Sequence, residues 1–340
     1  MIKLLLCFII CFILSAKIKL FRIYFINLLI GFLIFEILIA LMLVFPLFAK
    51  IGPKAFLRDI YSRKYRNIIQ MDPEFVRYDP DLKYTLNPGT FLFHNPEFTN
   101  EFKVNSLGTR DDEDALLVPE IVVLGDSVPM GWGVNQNETY AKIIEKLSGK
   151  KVLNAAISSY STVQAMRILD RVDTSKIKYL IVYYENWKFL ENFSYFRLKD
   201  KFKNIDRKTY EKTVLNYKKM KRYFPMKYSV SACVYLFDQL NNAQAPTINA
   251  PPAGLEAEIF LYVLVNASHL NLNNLSVIVV CDKDFVKTLK EMNTPQEKYY
   301  IKNLILVAQP DVVNDCAYVL DEHPTAKWHR VVADEIIKVL

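Results

Sequence analysis

Serine, histidine and a carboxylate build acyl-transfer sites, and this 340-residue chain offers one set of them at suggestive positions. The apolar run Ile121-Val122-Val123-Leu124 ends in Gly125-Asp126-Ser127. A short apolar run stopped by glycine reads as a buried strand, and the serine then stands at its carboxyl end, where open α/β sheets bind ligands. Serine is a weak nucleophile until a base lies within hydrogen-bond reach and a third group orients that base. Of the four histidines, His94 sits in a turn-rich segment, His269 ends a helical pattern, and His329 is out of helical phase with His323. His323 is therefore the candidate base; Pro324 opens the last helix and leaves the histidine in the loop before it. Asp321 is the candidate orienter of the imidazole, with Glu322 and Asp315 as substitutes. Taken singly, each residue has a plainer explanation: Gly-Asp-Ser caps helices, and loop histidines are common. Their order along the chain, each beside a strand end or in the loop before the last helix, is what suggests a site.

Two asparagine-bearing segments follow the serine, Val152-Leu153-Asn154-Ala155-Ala156-Ile157-Ser158-Ser159 and Tyr183-Tyr184-Glu185-Asn186, and Asp321-Glu322-His323-Pro324 lies near the C-terminus. In this order the four segments resemble the sequence blocks of the SGNH (GDSL-like) hydrolase superfamily, over about residues 118–340. Asn105-Ser106-Leu107-Gly108-Thr109-Arg110 resembles the lead-in of its membrane-anchored bacterial members. The resemblance implies a Ser127–His323–Asp321 triad and an oxyanion hole made by the backbone N–H of Ser127, a backbone N–H at Ser159 and the side-chain amide of Asn186. Each such donor is worth about two to three orders of magnitude in rate. It implies no metal and no organic cofactor.

Three positions depart from the family pattern. One residue, Glu322, separates Asp321 from His323 where two are more common. Ser159 stands where glycine is usual, and a left-handed backbone there costs a non-glycine residue about 1 kcal/mol or more. Trp187 follows Asn186 where aspartate is common. Tyr160, Ser161, Thr162 and Gln164 match the surface that lines the cleft in relatives, and Trp132 and Trp187 are candidates either for stacking on a sugar or for the core.

The elements that must position these residues are legible from residue 120 onward. Strands are expected at 121–124, 151–154, 179–184, 275–281 and 304–308, and helices at 139–147, 162–172, 255–270, 283–291 and 325–339. Near-continuous Ile/Val/Leu strands alternating with amphipathic helices indicate a parallel sheet covered on both faces, a three-layer α/β/α sandwich of the flavodoxin-like SGNH kind. A basic helical insertion over about 199–252 interrupts the alternation, in the position of a lid or partner surface; its Lys/Arg content also suits a solvated helix. No nucleic-acid-binding motif accompanies the net charge of +7.

The N-terminal quarter divides into a short hydrophobic segment with a basic break (1–22), a transmembrane helix (23–49) and a juxtamembrane helix with an extended lead-in (50–117), ahead of the hydrolase-like domain at 118–340. The second apolar run is about 40 Å long as a helix, enough to cross a hydrocarbon core of about 30 Å. The first is either a membrane helix, paired with the second as a hairpin, or a signal-like segment with a weak cleavage site at Leu14-Ser15-Ala16. Glu36, inside the span, is expected to be a protonated carboxyl facing the first helix, or a functional site. The juxtamembrane helix is expected from about Pro53 to Gln70. Lys17, Lys19 and Arg22 argue for an exported domain, whereas Lys50, Lys54, Arg58, Arg63, Lys64 and Arg66 argue for the cytoplasm. The resemblance favours the bacterial inner membrane with the domain outside. The five cysteines show no framework or CxxC spacing, so neither a disulfide scaffold nor a zinc site is expected, and Cys281 reads as core.

The implied function is a membrane-anchored serine esterase or O-acyltransferase. Its partners would be a cell-envelope glycan carrying O-acyl groups, O-acetyl foremost, or another ester, and membrane lipid. The alternative is an inactive SGNH-like domain that binds polysaccharide or scaffolds an envelope complex.

Overall fold

The computed structural model describes residues 19–45, 50, 52–242, 251–310 and 316–340. The first hydrophobic segment up to residue 18, Cys7, Cys11, most of the Pro/Ala/Asn loop and Asp315 lie outside the described residues. In chain order come helices α1 (Lys19–Val44) and α2 (Lys54–Ile60), then strands β1 (Val76–Asp79), β2 (Lys83–Leu86), β3 (Gly89–Asn95), β4 (Phe98–Val104) and β5 (Ile121–Leu124). Helices α3 (Ser127–Met130) and α4 (Tyr140–Ser148), strand β6 (Val152–Asn154), helix α5 (Thr162–Arg167) and strand β7 (Tyr179–Tyr183) follow. The remainder is α6 (Phe189–Arg197), α7 (Arg207–Lys221), α8 (Lys227–Asn242), α9 (Ala253–Asn266), β8 (Ser276–Cys281), α10 (Lys283–Met292), β9 (Leu304–Ala308) and α11 (Ala326–Ile337). The chain divides into two compact units: residues 1–66 with 221–246, and residues 67–220 with 247–340.

The larger unit is built on a five-stranded parallel sheet in the order β6-β5-β7-β8-β9. The strands are apolar on both faces because both faces are covered. Val122, Leu124, Leu180, Val182, Val277 and Val279 face one core, which receives α5, α9 and α10. Ile121, Val123, Ile181, Tyr183, Ile278 and Val280 face the other, which receives α4 and α11. This is the expected α/β sandwich, and the five strands and their covering helices lie within a few residues of the expected bounds. The strand order reverses between β6 and β7 on either side of β5, so the carboxyl ends of β5 and β7 border a topological switch point, where doubly wound sheets bind ligands.

The turn-rich lead-in forms two hairpins, β1–β2 and β3–β4. In the second, Asn95 pairs with Phe98, leaving Pro96-Glu97 as a two-residue turn, and β4 alternates between buried and exposed residues along its length.

The smaller unit contains α1, α2 and α8. Helix α1 includes the 24-residue stretch Phe21–Val44, long and apolar enough to cross a membrane; only 17% of its most apolar window is buried. The juxtamembrane helix is shorter than expected: α2 ends at Ile60, a π-helical turn covers Tyr61–Tyr65, and Arg66 is extended (φ −57°, ψ 127°). The basic insertion, expected as one feature of the hydrolase-like domain, is split between the units. All of α7 but its last residue groups with the sheet, and α8 groups with α1. Glu36 is buried, as expected, but among the described residues its partner is α8: its carboxylate accepts the Tyr228 and Ser229 N–H groups at 3.0 and 2.8 Å and the Ser229 hydroxyl at 2.9 Å.

Candidate active site

The turn after β5 is made rigid by its own residues. Gly125 has φ +147°, and a Cβ there would lie 2.6 Å from Pro129 Cγ and 3.0 Å from Tyr183 Cβ, so only glycine fits. Asp126 caps α3 by accepting the Val128 N–H at 3.0 Å. Its other oxygen lies 2.9 Å from the Lys188 Nζ, and both side chains are 1% exposed. Lys188 also donates to the Tyr183 carbonyl at 2.8 Å. A buried charge pair of this kind costs several kcal/mol to break from one side, so it fixes the turn against the end of β7. Asn154 ties the end of β6 to the same place, donating its amide to the Pro129 carbonyl at 2.9 Å.

Arg110, the last residue of the lead-in motif, secures the segment beyond α3. Its guanidinium is buried, lies 3.8 Å from the centre of the Phe102 ring, and donates to the carbonyls of Gly131 (2.5 Å), Val134 (2.8 Å) and Glu101 (2.8 Å). Burial pulls its pKa down to about 9, with Glu138 acting in the opposite direction. Asn105 and Thr109 close the turn that aims it, through side-chain bonds of 2.8 to 3.1 Å.

The loop before α11 brings the other half. The His323 Nε2 is 2.8 Å from the Ser127 Oγ, and its Nδ1 is 2.5 Å from the Asp321 Oδ1. Ser127 is half-buried, the His323 side chain is 15% exposed and the Asp321 side chain 0%. The one-residue spacing closes because Glu322 takes a left-handed conformation, φ +63°, which turns the Asp321 carboxylate back onto the imidazole. Glu322 itself is exposed. Trp132 donates its Nε1–H to the same Asp321 oxygen at 3.0 Å, and its ring lies 5.5 Å from the imidazole, centre to centre.

Glu97, from the β3–β4 turn, holds this loop by its backbone. One carboxylate oxygen accepts the Val319 N–H at 2.7 Å, and the other accepts those of Leu320 and Asp321 at 2.8 and 2.7 Å. Burial raises the Glu97 pKa above the usual carboxylate range, against the lowering effect of these three bonds. The Tyr318 hydroxyl, bonded to the Gly133 carbonyl at 2.5 Å, pins the start of the loop to the segment that Arg110 secures.

Ser159 has φ +60°, the left-handed backbone that glycine would adopt without strain. Gln70 braces this turn, donating to the Ser159 Oγ at 2.6 Å and accepting from the Ser158 Oγ at 3.2 Å, while the Tyr84 hydroxyl donates to the Ser158 carbonyl at 2.6 Å. The backbone N–H groups of Ser127 and Ser159 have no acceptor among the described residues. Asn186 begins a 3-10 turn just past β7 and is exposed.

Other candidates fall elsewhere. Tyr160, Ser161, Thr162 and Gln164 are buried, contrary to the cleft-lining expectation: Ser161 and Gln164 form a capping box at the start of α5, and Gln164 donates to the Leu82 carbonyl. Trp132 is core, whereas Trp187 is 47% exposed with its Nε1–H bonded to Glu185 at 3.0 Å. His329 is fully buried, accepts the Tyr140 N–H at 3.2 Å and has its pKa lowered to about 3 by burial. His94 bonds Thr99 in the second hairpin. Cys281 is buried, and Cys233, Cys281 and Cys316 are free thiols. Among the described residues no cluster of His, Cys, Asp and Glu could hold a metal ion. Arg110, Lys188, Glu97 and Gln70 are the positioning residues that sequence reasoning missed. Only Arg110 had a signal, as the end of the lead-in motif.

The chain is similar in structure to GDSL-type lipolytic proteins and to a carbohydrate esterase. A lipolytic protein of the G-D-S-L family from Desulfitobacterium hafniense DCB-2 matches 65% of this chain and 98% of its own, at 12% identity and a TM-score of 0.33. A carbohydrate esterase whose active site has divergent catalytic and non-catalytic binding functions matches 64% of this chain and 67% of its own, at 10% identity and a TM-score of 0.34. The lipase Lip_vut3 from a goat rumen metagenome matches 64% and 95%, at 11% identity and a TM-score of 0.33. No family model and no curated protein matches the sequence.

Proposed function

We propose that this chain is a serine ester hydrolase or acyltransferase of the SGNH type, with its hydrolase-like domain over residues 118–340 and α1 as a membrane span. The observation that carries the reading is the continuous chain of contacts from Ser127 Oγ to His323 Nε2 at 2.8 Å and from His323 Nδ1 to Asp321 Oδ1 at 2.5 Å. Ser127 attacks an ester carbonyl, and His323 accepts its proton and returns it to the leaving alcohol. Asp321 holds the imidazole in the tautomer that presents Nε2 to the serine and stabilises the imidazolium that forms. The oxyanion is received by the N–H groups of Ser127 and Ser159 and by the Asn186 amide, donors aimed at charge that exists only in the transition state. The acyl-enzyme is then resolved by water or by a sugar hydroxyl.

An O-acyl group, such as acetyl, on an envelope glycan is the substrate class we assign, and the exposed Trp187 beside Asn186 supports it, because an aromatic face suits the apolar face of a sugar ring. The domain is assigned to the outer side of a bacterial inner membrane. The left-handed Ser159, whose N–H has no acceptor among the described residues, weighs against the inactive binding domain, since a dead fold has no need of that strain.

The test is labelling of the full-length protein in detergent with a fluorophosphonate, followed by peptide mass spectrometry. The adduct is expected on Ser127 and is expected to vanish in His323→Ala. A folded protein that takes no label would overturn the assignment of an activated serine.

A further inference from the structure

Helix α8 is the feature that the catalytic reading leaves unused. Three sides of it can be distinguished within its own unit. Tyr228, Tyr235 and Asp238 face α2 and the turn after it: Tyr235 meets Phe56 edge-on at 5.3 Å, Tyr228 lies 6.5 Å from Tyr65, and Asp238 pairs with Arg63 at 3.0 Å. Ser229, Ala232, Cys233 and Leu236 face α1 across an open slot of about 430 Å³, whose other wall is Asn27, Leu28, Gly31, Phe32 and Phe35. The third side carries Val230, Val234, Phe237 and Leu240, which are 39%, 47%, 65% and 74% exposed.

At 100° per residue these four positions fall on one arc of the helix, and no charged residue interrupts it. The only charge between Tyr228 and Asn242 is Asp238, which is turned to Arg63. Lys54, Arg58 and Lys64 lie on α2 and the turn beyond it, elements that pack against a different side of α8. The outer surface of α1 continues the same character, with Leu33, Ile34 and Ile37 each about half exposed or more.

Glu36 fixes where α8 begins relative to α1. It sits eight residues before the end of α1, so the three donors it accepts from Tyr228 and Ser229 place the amino end of α8 beside the apolar run and not beyond it. The slot shows the direction: its α1 wall comprises residues that all precede Glu36, so α8 runs back antiparallel along α1. A carboxylate in an apolar run is costly unless donors satisfy it, and the amino end of a helix supplies both N–H groups and the favourable end of a dipole.

From these observations we propose that the Val230–Val234–Phe237–Leu240 face of α8 lies against membrane hydrocarbon, making α8 a second membrane-embedded element clamped to α1 by Glu36. The slot between the two helices, whose walls include Leu28, Phe32, Phe35 and Leu236, then opens to the same hydrocarbon. This inference rests on reading α1 as a membrane span. In water the same surface would be an apolar patch continuous over two helices, a feature that soluble monomers avoid.

The test is spin labelling of the full-length protein in phosphatidylethanolamine/phosphatidylglycerol vesicles, with Cys7, Cys11 and Cys233 changed to serine. Nitroxides are placed singly at Phe237→Cys and Leu240→Cys on α8, at Leu33→Cys on α1 and at the exposed Lys327→Cys of the sheet unit. Collision with oxygen, which concentrates in hydrocarbon, is compared with collision with a water-soluble nickel chelate. The expected oxygen-to-nickel ratio at 237 and 240 equals that at 33 and is several-fold above that at 327. A lipid-like ratio at 33 with a water-like ratio at 237 and 240 overturns the proposal and leaves the span intact. Labels at 237 and 240 shielded from both reagents point to a protein cover and also overturn it. A water-like ratio at 33 removes the span reading itself.

Discussion

The two halves of the proposed catalytic centre are held by different means. The serine turn is fixed by groups inside or beside the sheet: Gly125 packs under Pro129, Asp126 meets Lys188, and Arg110 gathers the carbonyls that follow α3. The histidine loop has no strand or helix of its own at Asp321 and His323. It hangs from two side chains that come from far away in the chain, Glu97 and Trp132, from its own Tyr318, whose hydroxyl reaches the distant Gly133 carbonyl, and from one left-handed residue, Glu322. Damage to the first half should therefore act through stability, and damage to the second through rate with the fold retained.

The largest effect is expected at the contact where the loop meets the chemistry. Asp321→Asn keeps the shape but presents the imidazole with an amide, which favours the wrong tautomer, and kcat for a p-nitrophenyl ester should fall about 10,000-fold. The circular dichroism spectrum should be unchanged. Activity within tenfold of the wild type would sink the assignment of Asp321 as orienter.

Arg110→Met tests the opposite half. It leaves buried carbonyl oxygens at Gly131, Val134 and Glu101 without their donor, and each unsatisfied buried group costs about 1–3 kcal/mol. The variant should lose about 3–5 kcal/mol of unfolding free energy in urea, with activity tracking the folded fraction. A variant of normal stability and severely reduced kcat would show that the serine turn, too, is a site of fine positioning.

This asymmetry also explains what could be read from the sequence. The sheet was legible because its strands are apolar on both faces and its helices amphipathic, and the serine turn because Gly125, Asp126 and Ser127 are consecutive. The histidine and its aspartate were legible as a pair near the last helix. Glu97 was not, because a carboxylate in a two-residue hairpin turn looks like any solvated acid until the fold sets it beneath the amides of residues 319–321. Lys188 carried no signal for the same reason, since its partner Asp126 is 62 residues away and nothing local requires the pairing. Tyr160 and Gln164 misled because a motif's neighbours inherit its position but not its exposure; here they are spent on bonds to Tyr84 and Leu82.

Glu97→Gln sharpens the comparison at intermediate size. The carboxamide can reproduce the acceptor at one oxygen but sets an NH2 against a backbone N–H at the other. A hydrogen bond to a charged group is worth about 1.5–3 kcal/mol, and with most of that loss falling on the alignment of Asp321, kcat should drop about 10- to 100-fold with KM nearly unchanged and the melting temperature lowered by only a few degrees. The pH profile adds a readout that general loosening would not move. Burial holds the Glu97 carboxyl above its usual range, so on acidification it takes up a proton earlier than an ordinary glutamate; the same sign means that protonation favours the buried carboxyl, so the loop stays in place while one oxygen stops accepting and the alignment of Asp321 loosens. Wild-type activity should thus decline on the acid side in part through Glu97, and that part should be missing in Glu97→Gln. Identical acid limbs in the two proteins would remove Glu97 from the catalytic pH response.

The smallest effect belongs to Ser159, where the two kinds of support meet. Its left-handed backbone costs about 1 kcal/mol that glycine would not incur, while its hydroxyl receives a Gln70 bond of similar worth. In Ser159→Gly these terms nearly cancel, and the backbone N–H that is assigned to the oxyanion survives. Stability should shift by less than about 1 kcal/mol and kcat by less than about threefold. A much larger fall in kcat would mean that the serine side chain, held by Gln70, positions the turn as Glu97 positions the histidine loop. The oxyanion turn would then belong with the suspended half of the site and not with the half built into the sheet.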